Sequence, residues 1–121
     1  MSARAILRNA PFSAQKARLV ADMVRGKSVV EARDILMFSP KRAARAIAKL
    51  LNSAVANAQE LAMNEQWHDG EELQEEELFI KRIVVDEGVR LKRIRPRARG
   101  MAYRIIRRRC HITLEVDDRA E

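Results

Sequence analysis

The stretch VRLKRIRPRARGMAYRIIRRR, residues 89–109, holds ten Arg or Lys and no Asp or Glu. Like charges at that density repel one another, so the segment calls for a partner of opposite charge. What flanks it decides the fold. CHITLEV, residues 110–116, alternates Cys110, Ile112, Leu114 and Val116 with His111, Thr113 and Glu115, the period of a half-buried strand. ELFIKRIVVD, residues 77–86, is rich in β-branched residues and reads as a plausible partner strand, though its alternation is less regular. Two strands flanking the basic run make it a long hairpin, with Pro96 and Gly100 near the turn. About ten residues at roughly 3.3 Å each carry the tip some 30 Å beyond the sheet. A lone two-stranded ribbon is marginal in water. This one is expected to be mobile alone and ordered among phosphates, where each neutralised cation releases condensed counterions.

The cations of the run are Arg90, Lys92, Arg93, Arg95, Arg97 and Arg99 before the glycine, and Arg104, Arg107, Arg108 and Arg109 after it. Nine Arg to one Lys favours bidentate phosphate contacts and stacking on bases. Aromatic content is 4%, too low for a sheet that reads RNA by stacking. Tyr103 either stacks on a base or covers the hairpin's root.

The totals agree with a small folded domain that meets a polyanion. At 121 residues the chain forms one domain burying roughly 65% of its unfolded surface. The body is expected at about 1–85 and 104–121, and the extended hairpin at about 86–103. Hydrophobic residues make up 47% and charged residues 34%, the latter above the usual value of about 25%. A net charge of +7 and a pI of 10.3 point to nucleic acid or an anionic membrane. Charge is divided unevenly: residues 1–60 carry 11 basic and 4 acidic side chains, residues 61–79 carry 0 and 7, and residues 80–121 carry 13 and 6. Cys110 is the only cysteine and His68 and His111 are the only histidines, too few for a zinc site or a disulfide framework. No metal or cofactor is expected. The amino terminus lacks a signal-like apolar core, and no run approaches the 18 or so apolar residues of a spanning helix, so a soluble cytosolic protein is expected.

The first half reads as three helices. Ser13 is placed to cap AQKARLVADMVR, Phe12 to staple back onto it, and Gly26 to end it. Ser28 and Glu31 stand at capping-box spacing, and Ile35, Leu36 and Phe38 supply apolar anchors before a Ser-Pro break. Ser39 is expected to cap the third helix, with Pro40 in its first turn, over about residues 40–62. Ala43, Ile47, Leu50, Leu51, Ala54, Ala58 and Leu61 form one apolar stripe on it. Their many alanines let another element approach closely. Arg42, Arg45 and Lys49 lie on a different face, either solvated or presented to a phosphate backbone.

Several of these segments resemble the family of the bacterial large ribosomal subunit protein twenty-two. SAQKARLVADMVRGK is similar to its first helix and turn, LLNSAVANA to its long helix and VVDEG to the entry of its hairpin. The most specific feature is the series Lys92, Arg97, Ala98, Arg99, Gly100 and then HITLEV from His111. The resemblance implies an α+β fold: three helices packed on a small three-stranded antiparallel sheet, the ARAIL region as third strand, and a long protruding basic β-hairpin. It implies a monomer within the ribosome, bound to large-subunit (23S-type) rRNA and neighbouring ribosomal proteins, its hairpin tip lining the nascent-peptide exit tunnel. The tip would be Arg93, Ile94, Arg95, Pro96, Arg97, Ala98, Arg99 and Gly100, with Lys92 also touching RNA. Lys16, Arg18, Arg25 and Lys27 match basic positions of the first helix and turn. Val89 stands where the family usually has Pro, which would loosen the bend at the hairpin's base. Met101 replaces a usual basic residue. The acidic segment, residues 65–77, is longer and more acidic than usual. It reads as a solvated loop, with a docking surface for another basic ribosomal protein as the alternative.

Other classes fit less well. An enzyme is not expected, because adjacent strand residues Cys110 and His111 point to opposite faces and no other nucleophile–base set presents itself. A DNA-bending architectural protein with basic β-arms suits RIRPRARG, but should be a stable dimer. Membrane binding lacks an apolar face opposite the hairpin's cations.

Overall fold

The cleanly alternating run at residues 110–116 becomes the middle of a sheet because apolar residues meet it from both sides. A computed structural model describes residues 2–64, 74–96 and 98–118. The order is β1 (Ser2–Ala10), α1 (Ala14–Val24), α2 (Val29–Phe38), α3 (Arg42–Met63), a 3-10 turn (Glu75–Glu77), β2 (Leu78–Pro96), a second 3-10 turn (Ala98–Gly100) and β3 (Ala102–Asp118). The three strands are antiparallel in the order β1-β3-β2. The chain is thus α+β, and β2 and β3 run on together as the expected hairpin, with ARAIL inside β1.

Cys110, Ile112, Leu114 and Val116 of β3 are fully buried. The irregular alternation of residues 77–86 has a specific cause. Leu78 and Ile80 are buried, and so are Ile83 and Val85, a change of phase at Lys81. The ladder shifts there, since Ile80 pairs with Val116 and Arg82 with Glu115. One extra residue, a β-bulge, returns both apolar runs to the same face.

α1 packs on β2 and α3 on β1, with α2 against α3. β1 offers Ala3 and Ala5 to the core, and α3 offers Ala43, Ala44, Ala54, Ala58 and Ala62 beside Ile47, Leu50 and Leu51. Small side chains on both partners allow the close approach. Helix starts follow the local signals at two of three places: the Ser13 and Ser28 hydroxyls accept from the backbone N–H groups of Lys16 and Glu31 at 3.4 and 3.3 Å. The third expectation is corrected. Ser39 is the C-cap of α2, its N–H bonded to the Leu36 carbonyl, so α3 begins two residues later with Lys41 as N-cap and no side-chain cap. Pro40 lies outside the helix. Phe38, expected as an anchor, is 82% exposed, because α2 ends just as its apolar stripe turns away from α3.

Two further bulges mark where body becomes arm. In β1, Leu7 pairs with Ile112 and Ala10 with Cys110, with Asn9 at φ 55°, a left-handed conformation that Asn tolerates. In β2, Glu87 pairs with Cys110 and Arg90 with Arg108, so Gly88 and Val89 together oppose Arg109. Bulges bend strands and tighten their twist, and these two flank β3 at Arg109 and His111. The bend at Gly88 and Val89 forms without a proline. His111 Nδ1 accepts from the Asn9 N–H at 3.0 Å, and Arg109 Nη1 donates to the Asn9 carbonyl at 3.3 Å. Gly88 sits in a close approach: a Cβ there would lie 3.1 Å from the Arg109 carbonyl oxygen and 3.3 Å from His111 Nε2. Gly88→Ala is expected to destabilise the protein by about 1–2 kcal/mol, lowering the melting temperature by roughly 5–10 °C in a circular dichroism melt. An unchanged melt means that the Arg109 backbone gives way freely.

Candidate nucleic-acid interface

Beyond the Glu87–Cys110 pair only two strands remain, and their register decides how ten cations coexist. Leu91 pairs with Arg107, Lys92 with Ile106, Arg93 with Ile105, Ile94 with Arg104 and Arg95 with Tyr103. Each pair sets one cation against one uncharged side chain, which removes the direct repulsion expected from composition. Only Arg90 and Arg108 face each other as like charges, and there Glu87 lies 3.5 Å from Arg90. Side chains alternate, so Arg90, Lys92, Arg104 and Arg108 share the helix-side face while Arg93, Arg95 and Arg107 occupy the other. Both faces of the arm are basic. Tyr103 is half exposed on the arm, one pair below the Pro96–Ala102 end of the ladder, and does not cover the root. Arg99 turns the chain at φ 65° and Gly100 at φ 71°. Arg97 lies outside the described residues.

On the body, two adjoining grooves collect further cations. The first, about 580 Å³, runs between the starts of α1 and α3 and the root of the arm, lined among others by Phe12, Lys16, Leu19, Lys41, Arg42 and Arg108. The second continues from Pro11, Phe12 and Arg42 along Arg45 and Lys49 between α3 and β1. The fold therefore gathers Lys16, Arg42, Arg45, Lys49 and Arg108 on one side. Lys41 belongs with them: it lies off the i, i+3, i+7 stripe of Arg42, Arg45 and Lys49, and its adjacency to Arg42 is its signal in the sequence.

Arg18 and Arg25 are placed differently. Arg18 donates through Nε and Nη2 to the Val85 carbonyl at 3.3 and 3.0 Å. Arg25 donates through Nη2 to the Ile83 carbonyl at 3.0 Å and through Nη1 to Asp22. The Ile80 N–H completes this seam on the Lys27 carbonyl at 2.9 Å. α1 and its turn thereby cover the outer edge of β2, which would otherwise present unpaired backbone groups to other strands. Arg18 keeps Nη1 and the second N–H of Nη2 for an outside partner, whereas the Lys27 side chain is exposed. Burial pushes the Cys110 thiol up, against the opposing pull of the Arg18 guanidinium, so it stays protonated and a poor nucleophile. His111 is on the other face of β3, as adjacent strand positions require.

Glu75 is tied to Arg33 at 2.6 Å, and Arg33 to Asn52 at 3.1 Å. The described end of the acidic segment thus rests on α2 and α3 through residues that line neither groove; residues 65–73 lie outside the described ones. Among the described residues no three metal-ligating side chains converge, and no helix is long and apolar enough to cross a membrane. A small sheet with two helices on one face, an arm basic on both faces and a cationic groove at its root suit assembly within a ribonucleoprotein. The comparison with protein families agrees: the model described as ribosomal protein L22p/L17e matches residues 5–117. The chain belongs to that ribosomal protein family, whose members are structural components of the large ribosomal subunit rather than enzymes.

Proposed function

We propose that this chain binds large-subunit rRNA by two surfaces, the cationic side of its body and the arm. In this reading the arm is sheathed in RNA on both faces. Lys92, Arg93, Arg95, Arg97, Arg99 and Arg104 neutralise phosphates along it, with Arg90, Arg107, Arg108 and Arg109 at its root. Its tip, residues 93–100, forms part of the wall of the nascent-peptide exit tunnel. Lys16, Lys27, Arg42, Arg45 and Lys49 hold the body to RNA at the subunit surface. Arg18 and Arg25 contribute only what their bonds to β2 leave free. The protein acts as a monomer within cytoplasmic ribosomes, beside neighbouring ribosomal proteins and the growing polypeptide, without a cofactor.

One observation carries the reading. Of nine described cations between Arg90 and Arg109, one makes an ion pair among the described residues, although they project to both faces. An arm lying on a single surface needs charge on one side only; an arm threaded through RNA uses both. If about six cations contact phosphate, the log–log dependence of RNA affinity on salt has a slope of roughly −4 to −5. Fluorescence anisotropy with a labelled large-subunit rRNA fragment measures it. A flat salt response overturns the reading, as does a stable dimer that prefers duplex DNA.

A further inference from the structure

The groove at the root of the arm has a composition that phosphate binding alone does not explain. Its rim is cationic, with Lys16, Lys41, Arg42 and Arg108, and no Asp or Glu lines it. None of the four makes an ion pair among the described residues. Its interior is apolar: Phe12, Leu19, Ala43 and Ile106. Leu19 is 53% and Ile106 45% exposed, on two elements far apart in sequence that converge on one cavity. Leaving such side chains in water beside four cations gains nothing for a surface that meets only a phosphate backbone.

We infer that this groove takes one unpaired nucleotide of the RNA, its base against Leu19, Phe12 and Ile106 and its flanking phosphates on Lys16, Lys41, Arg42 and Arg108. A volume of about 580 Å³ lies within the roughly 300–1,000 Å³ of pockets that accept small molecules. Paired RNA cannot enter, because A-form helices keep their base faces stacked and offer side chains only a shallow minor groove. A bulged or loop nucleotide presents a free base face between two phosphates, matching an apolar floor with a basic rim. Burying that face against apolar and guanidinium groups adds to the counterion term and is little affected by salt. The inference rests on the RNA-binding reading above and specifies which kind of RNA the body selects.

The test uses the full chain and two fluorescein-labelled RNA hairpins with the same stem, one fully paired and one with a single bulged adenosine. At fixed salt, the unaltered protein is expected to bind the bulged hairpin roughly tenfold more tightly, the size of one base-stacking contact. In the Leu19→Ala, Ile106→Ala double variant the preference should fall below about twofold. Affinity for the paired hairpin should stay within about twofold, because both side chains are half exposed and the cations remain. Equal binding of the two hairpins by the unaltered protein, or a preference that survives in the variant, overturns the inference. Equal binding with a steep salt slope removes the groove site alone; failure to bind either hairpin removes the RNA-binding reading with it.

Discussion

Leu51→Asp unfolds the protein. Leu51 is fully buried in α3 among the alanines and aliphatic side chains that meet the sheet. Replacing it removes about 2–3 kcal/mol of apolar burial and places a carboxylate where no cation is within the core; among the described residues the core contains no buried polar or charged side chain. An unpaired buried charge costs several kcal/mol more. Together these are comparable to the roughly 5–15 kcal/mol that holds a domain of this size together. The expected result is loss of the cooperative thermal transition and of most helical circular dichroism at 25 °C. Met37→Asp, at a position 77% exposed on α2, should change stability by no more than about 0.5 kcal/mol. A normal melt for Leu51→Asp would mean that the face of α3 assigned to the core is wrong.

The second large effect separates binding from folding. Reversing Arg93, Arg95, Arg99 and Arg104 to Glu changes the charge by two at each of four sites and takes the net charge from +7 to −1. All four side chains are exposed, and none of the elements they occupy beyond the Glu87–Cys110 pair belongs to the three-stranded part of the sheet. The melting temperature of the body should therefore shift by only a few degrees. RNA affinity should fall more than about a hundredfold, and the salt slope should flatten by roughly 3 units, because four phosphate contacts are lost and four repulsions created. In cells the variant should fail to enter large subunits that survive a high-salt wash. Normal incorporation would remove the arm from the assembly's binding energy. A body that melts tens of degrees lower would show that the arm supports the fold, contrary to the register described above.

Much of this architecture is legible in the sequence. The alternation of Cys110, Ile112, Leu114 and Val116 survives intact because β3 is the central strand and carries none of the bulges. The same pattern was blurred in residues 78–85 because the extra residue at Lys81 inverts the phase midway. Ser13 and Ser28 were readable as caps because each serves one helix. Ser39 was not, since its backbone is already used to close α2, and one residue cannot serve both helix ends without a wider turn between them. The basic run announces an arm of ten cations, and the register sets five of them, Lys92, Arg93, Arg95, Arg104 and Arg107, opposite apolar or aromatic side chains.

The amino-acid order by itself determined the element types, the apolar stripe of α3, the acid-free hairpin and, through that hairpin, the class of partner. These depend on spacings of two to seven residues, which local backbone geometry turns directly into faces. Only the tertiary structure decided that Arg18 and Arg25 seal the edge of β2 instead of standing free. It likewise decided that Lys41, Leu19 and Ile106 share one groove, and that the arm departs from the body between paired bulges. Each of those depends on which face of one element lies over another, across as many as 102 residues of sequence between Asn9 and His111. That choice is made by packing of the whole core, which no local pattern encodes.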